Sequence, residues 1–234
     1  MKAIIFAAGK GMRLRPMTDS TPKPMIAVAG KPILERTLEA LPDAVREVVF
    51  VVGYLKEQII NRFGITHAGR RIIYADQGEL RGTLHALRAA RPHLDDTPFL
   101  VLNGDDLYHK ADLERIVRHP NSILVSEWEN PERFGVCVVD EYGNLKDLKE
   151  KPAHLSGTFL VYTGASVLTQ SIFSEPVVYG KNDEELLPPA ILSLGKKTPV
   201  VTLRAQFWHP IGFPEDIASA ELKLAERARG PGGP

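Results

Sequence analysis

The sequence predicts an α/β fold, with a central, mostly parallel sheet flanked by helices. Three short apolar runs, at residues 3–7, 47–53 and 99–102, have the continuous hydrophobic character of strands that are buried on both faces. Segments with a helical spacing of apolar residues lie between these runs. Strands that alternate with helices along a chain favour a parallel sheet covered on both sides.

The predicted elements of the first half follow in strand–helix order. The strands are residues 3–7, 47–53, 71–74 and 99–102, and the helices are residues 33–41, 56–63 and 82–90. Pro32 stands at the start of the first helix, where a missing backbone N–H is tolerated.

The second half has a different pattern. Residues 123–128, 136–140 and 159–162 are strand-like, and a turn at Gly143-Asn144 lies between the last two. We therefore expect antiparallel additions to the sheet. A helix rich in Ala, Glu and Leu is predicted at residues 214–229, and a disordered tail at residues 230–234.

Composition limits the class of protein. The 234 residues suit one domain, predicted over residues 1–229, and Lys plus Arg balance Asp plus Glu at 29 each. A neutral chain offers no electrostatic reason to bind nucleic acid or an anionic membrane. The one cysteine, Cys137, allows no intrachain disulfide, and the first apolar run is too short for a signal peptide. We expect a cytoplasmic protein that is a monomer or a homodimer.

The glycine-rich loop after the first strand is the first candidate site. It comprises Ala7, Ala8, Gly9, Gly11, Met12 and Arg13. Glycines let the backbone turn sharply and point its amides at phosphate oxygens. Leu14 excludes the dinucleotide fingerprint, which needs a third glycine there, and the chain contains no P-loop string. The loop therefore predicts a site for the phosphates of a nucleoside triphosphate.

Two cations strengthen this prediction. Arg13 ends the loop and Lys23 follows it, and a guanidinium and an ammonium suit the charge of a triphosphate. The alternative is that both are solvated surface charges.

At this point a family resemblance becomes specific. The strings G-x-G-x-R-L-x-P-x-T and P-K-P-M, at residues 9–18 and 22–25, resemble those of the sugar-phosphate nucleotidyltransferases, also called nucleotide-sugar pyrophosphorylases. The pattern is most similar to thymidylyltransferase and uridylyltransferase members that act on glucose 1-phosphate. The resemblance implies the Rossmann-like nucleotide-diphospho-sugar transferase fold and Mg²⁺ as the cofactor. It also implies transfer of a nucleotidyl group to a sugar 1-phosphate with release of pyrophosphate, and catalytic roles for Arg13 and Lys23.

A second block concerns the base. Gln77, Gly82 and Thr83 resemble the family's Q-x-x-x-x-G-T segment, in which the glutamine contacts the base and the glycine lies near the nucleoside. A glutamine amide offers a donor and an acceptor, which matches the edge of uracil or thymine, so UTP or dTTP is favoured. The alternative is a helix N-terminus capped by Thr83.

The remaining blocks concern the metal and the sugar. The resemblance implies that Asp105, in the string Asn103-Gly104-Asp105-Asp106, holds Mg²⁺; the alternative is that these aspartates cap the next helix. It also implies a sugar-phosphate site, with the glutamate of E-K-P on sugar hydroxyls and the lysine on the phosphate. The residues assigned to that site are Asn103, Gly135, Glu150, Lys151 and Gly157. Residues 1–110 are thus the predicted nucleotide-binding half, and residues 111–229 the sugar-phosphate-binding half.

The chain departs from the family at its second metal ligand. The family has W-x-D-I-G-T-P, and here Pro210 stands in place of the aspartate and Phe213 in place of the threonine. Asp105 then holds Mg²⁺ with water and phosphate oxygens alone, or His209 or Glu215 substitutes, or the protein binds nucleotide or nucleotide-sugar with little turnover. A further alternative is an enzyme with another acceptor, such as a cytidylyltransferase acting on choline phosphate or a molybdopterin nucleotidyltransferase.

Overall fold

The computed structural model describes residues 1–229, so the predicted disordered tail lies outside the described residues. The strands are β1 (Lys2–Ala7), β2 (Ala27–Val28), β3 (Lys31–Pro32), β4 (Glu47–Val52), β5 (Thr66–His67), β6 (Arg70–Asp76), β7 (Phe99–Asn103), β8 (Asp106–Tyr108), β9 (Ser122–Glu129), β10 (Gly135–Val139), β11 (Leu145–Glu150), β12 (Thr158–Leu168), β13 (Val201–Arg204) and β14 (Trp208–Pro210). The α-helices are α1 (Ile33–Ala40), α2 (Lys56–Phe63), α3 (Thr83–Ala90), α4 (Lys110–Ile116), α5 (Leu187–Gly195) and α6 (Pro214–Arg229). Short 3₁₀ turns at Met12–Leu14 and Lys23–Met25 carry Arg13 and Lys23.

The main sheet has a parallel centre and antiparallel additions. Its order is β11-β10-β12-β7-β1-β4-β6-β5, with β9 attached to β12 and β13 attached to β9. The pairs of β1 with β4 and β7 and of β4 with β6 are parallel, whereas β12 runs antiparallel to β7, β9 and β10. The α/β class and the antiparallel character of the second half are as predicted.

The centre of the sheet is buried on both faces because helices pack on each side. Along β1, Ile4 and Ile5 are both fully buried and belong to different apolar clusters. The cluster around Ile5 includes residues of α1, α2 and α4, and the cluster around Ile4 includes residues of α3 and α5. Successive strand side chains point to opposite faces, so a continuous apolar run is what this position requires.

Several elements were not predicted. Helix α5 begins with Pro188 and Pro189 in its first turn, where proline is tolerated although it resembles a loop signal. Strand β12 continues past its predicted end at residue 162 to Leu168, through a register shift between Tyr162 and Ser166.

A segment of the second half packs on the first. Between β12 and α5, the backbone N–H of Glu185 donates to the carbonyl of Arg81 at 2.7 Å, and the N–H of Leu84 donates to the carbonyl of Glu185 at 2.9 Å. The buried Glu185 carboxylate pairs with Arg81 at 3.3 Å and Arg88 at 2.7 Å. These contacts place residues 184–187 over the start of α3.

Across residues 1–229, none of the helices combines the length and the apolar character that crossing a membrane would need.

Candidate active site

Two cavities meet at the carboxyl ends of β1 and β7. One has a volume of about 350 Å³ and the other about 600 Å³. Both volumes lie in the range of small-molecule sites, and ligands of open α/β sheets collect at such strand ends. The residues that line both cavities are Phe6, Lys23, Gly82, Thr83, Asn103, Asp105 and Glu184.

The larger cavity contains the predicted nucleotide site. Its lining includes Ala7, Ala8, Gly9, Gly11, Met12, Gln77, Gly82 and Thr83, which are the predicted nucleotide-binding residues apart from Arg13. Gly11 is required here, because its φ is +62° and a Cβ would lie 2.9 Å from Thr18 and 3.0 Å from Lys23. The hydroxyl of Thr18 donates to the Gly11 carbonyl at 2.9 Å, which holds the loop against Lys23.

Lys23 and Asp105 form an ion pair at the junction of the cavities. The ammonium of Lys23 donates directly to Oδ2 of Asp105. Lys23 is only 9% exposed, so its charge lies where water screens it little. Asp105 lines both cavities and does not cap a helix, since α4 begins after His109 with no side-chain cap.

The neighbouring Asp106 has a different environment. Oδ2 of this buried carboxylate accepts hydrogen bonds from the amide of Asn103 at 3.2 Å, the indole of Trp208 at 3.2 Å and the hydroxyl of Tyr108 at 3.4 Å. Burial and the adjacent Asp105 carboxylate raise the pKa of Asp106 to about 7. Asp106 therefore joins β7 to the Trp208 strand, whereas Asp105 is the carboxylate open to both cavities.

Gln77 lies deep in the larger cavity. It is buried, and its side-chain N–H donates to the Gly82 carbonyl at 3.1 Å. The same Gln77 nitrogen lies 3.5 Å from Nδ1 of His85, so the two contacts orient the amide and leave its oxygen for a ligand. The alternative role of Thr83 as a helix cap is not seen: α3 has no side-chain cap, and the Thr83 hydroxyl accepts the N–H of Leu187 at 3.0 Å.

The smaller cavity contains most of the predicted sugar-phosphate residues. Asn103, Gly135, Glu150 and Lys151 all line it. The Lys151 ammonium lies 3.3 Å from Glu150 and its side chain is 61% exposed, so it is free to turn towards an anion. In β10, Gly135 packs against β11 so closely that a Cβ would lie 3.2 Å from the Glu150 carboxylate.

Gly157, which was also assigned to this site, lies apart from the other four residues. Gly157 lines neither cavity; it lies just before β12, and its carbonyl accepts the N–H of Asn130 at 3.0 Å. A different glycine, Gly164, lines the smaller cavity next to Thr163, where β12 shifts register. A side chain at position 164 would collide with the amide of Asn103, at 2.1 Å from a built Cβ.

Pro210 faces the site where the family carries an aspartate. It is paired with Asp106 in the β8–β14 ladder, and it lines the smaller cavity together with Asp105. Neither suggested substitute lines a cavity. The Nε2 of His209 donates to the Asp216 carbonyl at 3.0 Å, and its Nδ1 lies 3.3 Å from the Lys223 ammonium.

Arginines and aromatic rings close one end of the smaller cavity. Arg13 lines this cavity, with its guanidinium 4.8 Å from the centre of the Phe213 ring. Arg133, which the sequence analysis did not assign, stacks on the same ring at 4.4 Å. One oxygen of Asp216 accepts hydrogen bonds from Arg133 at 2.8 Å and from the N–H groups of Gly212 and Phe213 at 2.7 and 2.8 Å.

The sequence matches the family model described as "Nucleotidyl transferase" over residues 2–227. It is 38% identical over 230 residues to the bifunctional protein GlmU of Methanocaldococcus jannaschii, with 97% of this chain and 55% of that protein covered. The chain therefore spans about half the length of that relative. It is 35% identical over 239 residues to the UTP–glucose-1-phosphate uridylyltransferase AglF of Haloferax volcanii, with 97% of each protein covered.

The fold also matches solved structures. A UDP-glucose pyrophosphorylase from Acinetobacter baumanii superposes with a TM-score of 0.82 at 21% identity, over 98% of this chain and 94% of that one. Since the family match covers nearly the whole chain and the site residues lie together at one edge of the sheet, the chain belongs to the nucleotidyl transferase family.

Proposed function

We propose that the protein transfers a nucleotidyl group from a nucleoside triphosphate, preferably UTP or dTTP, to a sugar 1-phosphate and releases pyrophosphate. The observation that carries this proposal is the junction of the two cavities at Lys23 and Asp105. A nucleotide in the larger cavity and a sugar phosphate in the smaller one would bring their phosphates together there. The name of the Haloferax relative, a UTP–glucose-1-phosphate uridylyltransferase, supports the same reaction class.

The chemistry needs no protein nucleophile. A phosphate oxygen of the sugar 1-phosphate attacks the α-phosphorus, a new P–O bond forms, and the bond to the bridging oxygen of the β-phosphate breaks. The sugar phosphate is already an anion at neutral pH, so catalysis consists of positioning and charge stabilisation. Lys23 would stabilise charge on the α-phosphate and Lys151 the attacking phosphate. Arg13 ends the glycine loop of the larger cavity but itself lines the smaller one, so it would reach across the junction to the triphosphate and the departing pyrophosphate.

The residues fit a magnesium ion that is held mainly by the substrates. Among residues 1–229 there is no group of three or more His, Cys, Asp or Glu side chains arranged to hold a metal. Mg²⁺, however, is commonly bound by one or two carboxylates together with water and substrate phosphates. Two carboxylates, Asp105 and Glu184, line both cavities. Asp105 pairs with Lys23 at their junction and would hold the ion, which would supply positive charge for the phosphates of both substrates.

Gln77 supports the preference for a uracil or thymine base. Its amide is oriented by Gly82 and His85 and keeps its oxygen as an acceptor for the N–H of a uracil or thymine edge. The division of the chain is supported in the same way, because the larger cavity is lined mainly by residues before 110 and the smaller one largely by residues after 130. The cytoplasmic location, the monomeric or homodimeric state and the absence of nucleic-acid and membrane partners stay predictions.

Pyrophosphate release tests the proposal. Purified protein is assayed with UTP, dTTP, GTP, ATP and CTP against the 1-phosphates of glucose, N-acetylglucosamine and mannose, and we expect release with UTP or dTTP. Lys23→Ala and Arg13→Ala should each lower kcat by about 10²- to 10³-fold, since each removes a preorganised charge contact. The matched controls are Lys110→Ala and Arg71→Ala, which remove exposed ion pairs outside both cavities. Near-wild-type turnover in Lys23→Ala, with unchanged thermal unfolding, would contradict the assignment.

A second candidate is a binding protein with little turnover, which Pro210 favours. Such a protein would bind UDP-glucose or dTDP-glucose in calorimetry and release no pyrophosphate with any of the fifteen substrate pairs. A cytidylyltransferase for another acceptor would instead show CTP-specific release with choline phosphate or a molybdopterin acceptor.

A further inference from the structure

Arg133 is a cation of the cavity wall that the proposed mechanism leaves without a role. Its guanidinium lies 4.4 Å from the ring centre of Phe213 and 5.5 Å from that of Phe134. Cation–π contacts of this kind hold an arginine in place while its N–H groups stay available in the plane of the guanidinium. These two ring contacts therefore limit the orientations that the Arg133 side chain can adopt.

Protein groups accept hydrogen bonds from only part of this guanidinium. Its Nη2 donates to Asp216 at 2.8 Å. Its Nε is shielded from solvent and has no hydrogen-bond partner within residues 1–229. An arginine carries five N–H donors, and the Arg133 side chain as a whole is 30% exposed, so the donors that Asp216 does not use remain for a ligand in the cavity.

The position of Arg133 selects the kind of ligand. Arg133 lines the smaller cavity with Glu150 and Lys151, and it does not line the larger one. Pro210 lies in the same wall. Where the family has a carboxylate for the metal, this chain therefore has the apolar ring of Pro210, and the Arg133 guanidinium lines the same cavity.

We propose that Arg133 binds the phosphate group of the sugar 1-phosphate, an inference that rests on the proposed function. Arg133 and Lys151 would hold this phosphate between them. In the family a second carboxylate helps to bind the metal cation; here the guanidinium would supply positive charge directly. Asp216 is the positioning residue, because its one oxygen ties Arg133 to the backbone of Gly212 and Phe213.

A purely structural role makes a different prediction. If Arg133 served only to hold the loop with Phe213, its loss would disturb Arg13 as well, because Arg13 stacks on the same ring. Both substrates would then bind less well. A direct contact with the sugar phosphate affects only that substrate.

The experiment separates KM for the two substrates. For Arg133→Gln we expect KM for the sugar 1-phosphate to rise about 10-fold or more, the usual effect of losing a charge-assisted hydrogen bond, while KM for the triphosphate changes less than about twofold. Arg133→Lys should recover part of the loss because it keeps the charge. The matched control is Arg91→Gln, which removes an exposed arginine stacked on Phe173 at 4.9 Å outside both cavities and should behave as wild type.

Calorimetry keeps the test independent of turnover. Binding of the 1-phosphates of glucose, N-acetylglucosamine and mannose is measured without metal for wild type, Arg133→Gln and Arg133→Lys. Weaker binding by Arg133→Gln supports the inference even if wild type releases no pyrophosphate, a result that would overturn only the proposed function. Equal binding by wild type and Arg133→Gln, an equal rise in both KM values, or no binding of any of the three by wild type overturns the inference. If Arg133→Gln does not fold, the comparison of wild type with Arg133→Lys decides in the same way.

Discussion

At the scale of single residues, the charges of the site are distributed unevenly between two adjacent aspartates. Asp106 accepts hydrogen bonds from Asn103, Trp208 and Tyr108, and its pKa is raised because burial and the adjacent Asp105 charge outweigh the hydrogen bonds. Asp105 instead pairs with Lys23 and opens onto both cavities. One carboxylate thus joins strands, and its neighbour is the one that a metal and two phosphates can reach.

Pro210→Asp tests whether this position is the lost metal ligand. A carboxylate beside Asp105 should lower the Mg²⁺ concentration for half-maximal activity by about 10-fold or more, because two charges near the protein surface interact by up to about 4 kcal/mol. The same variant without metal should unfold at a lower temperature, since the new charge lies beside Asp106. Magnesium titrations of rate and binding calorimetry are the measurements.

The control for this substitution is Pro210→Asn, which matches the shape of aspartate without the charge. If Pro210→Asp and Pro210→Asn respond identically to Mg²⁺, position 210 is not a metal position in this chain.

Some site residues could be predicted from the sequence and others could not, depending on whether a short sequence string contains them. Lys23, Asp105 and Glu150 stand in sequence strings that match the family in order and spacing, so each could be assigned from the sequence alone. Gly157 was assigned because it precedes a predicted strand after the E-K-P string, whereas the glycine that lines the smaller cavity, Gly164, lies inside β12. Arg133 had no such signal, because its stacking on Phe213 joins residues eighty positions apart in the chain.

At the scale of elements, the segment before α5 matters most, because it joins the two halves over α3. Gly82 makes this contact close: its φ is +90°, and a Cβ would lie 2.6 Å from the carbonyl oxygen of Glu185. The backbone bonds between this segment and α3, together with the buried Glu185 carboxylate, build one wall of both cavities.

Gly82→Ala should therefore destabilise the protein by about 3 kcal/mol, from backbone strain together with the loss of backbone hydrogen bonds. It should also raise KM for the triphosphate. The matched control is Gly78→Ala, where φ is +65° but no atom lies within 4 Å of a built Cβ. That control isolates the cost of a left-handed backbone, about 1–2 kcal/mol. Urea unfolding measures both, and equal losses would mean that the contact with Glu185 contributes nothing.

Helix and strand boundaries show where local patterns suffice. The bounds predicted for α2 and α6 agree with the structure because both helices start and stop at clear signals, such as Gly64 after α2 and Pro214 at the start of α6. Helix α5 was missed because Pro188 and Pro189 suggest a loop when the following apolar residues are read without their tertiary contacts.

At the scale of the whole molecule, stability should depend on pH through groups at the junction of β14 and α6. Burial lowers the pKa of His209 below its ordinary value of 6.5. Burial by itself raises the pKa of Asp216, but hydrogen bonds from Arg133 and from the amides of Gly212 and Phe213 outweigh it and hold that pKa below 3.8. The folded state thus resists protonation at both groups.

Through His209 the free energy of unfolding should fall as the pH drops below 6.5, because the unfolded chain binds a proton there that the folded chain does not, and through Asp216 it should fall below 3.8. Asp106, whose pKa is raised to about 7, acts in the opposite direction over the upper range, so the His209 contribution is the difference between wild type and a His209 variant. Each unit by which a pKa is lowered contributes about 1.4 kcal/mol. Urea unfolding at several pH values is the measurement. His209→Gln should lose less stability than wild type as the pH drops through 6.5, and the exposed His119→Gln should follow the wild-type curve. An unchanged slope in His209→Gln would contradict this account.

The shared wall of the two cavities has a consequence for inhibition. A molecule that carries a nucleoside at one end and a sugar at the other can fill both spaces as a single body. It loses its translational and rotational freedom once, whereas two separate substrates lose theirs twice. Linked bisubstrate compounds that span the junction at Lys23 should therefore bind this protein more tightly than either half alone.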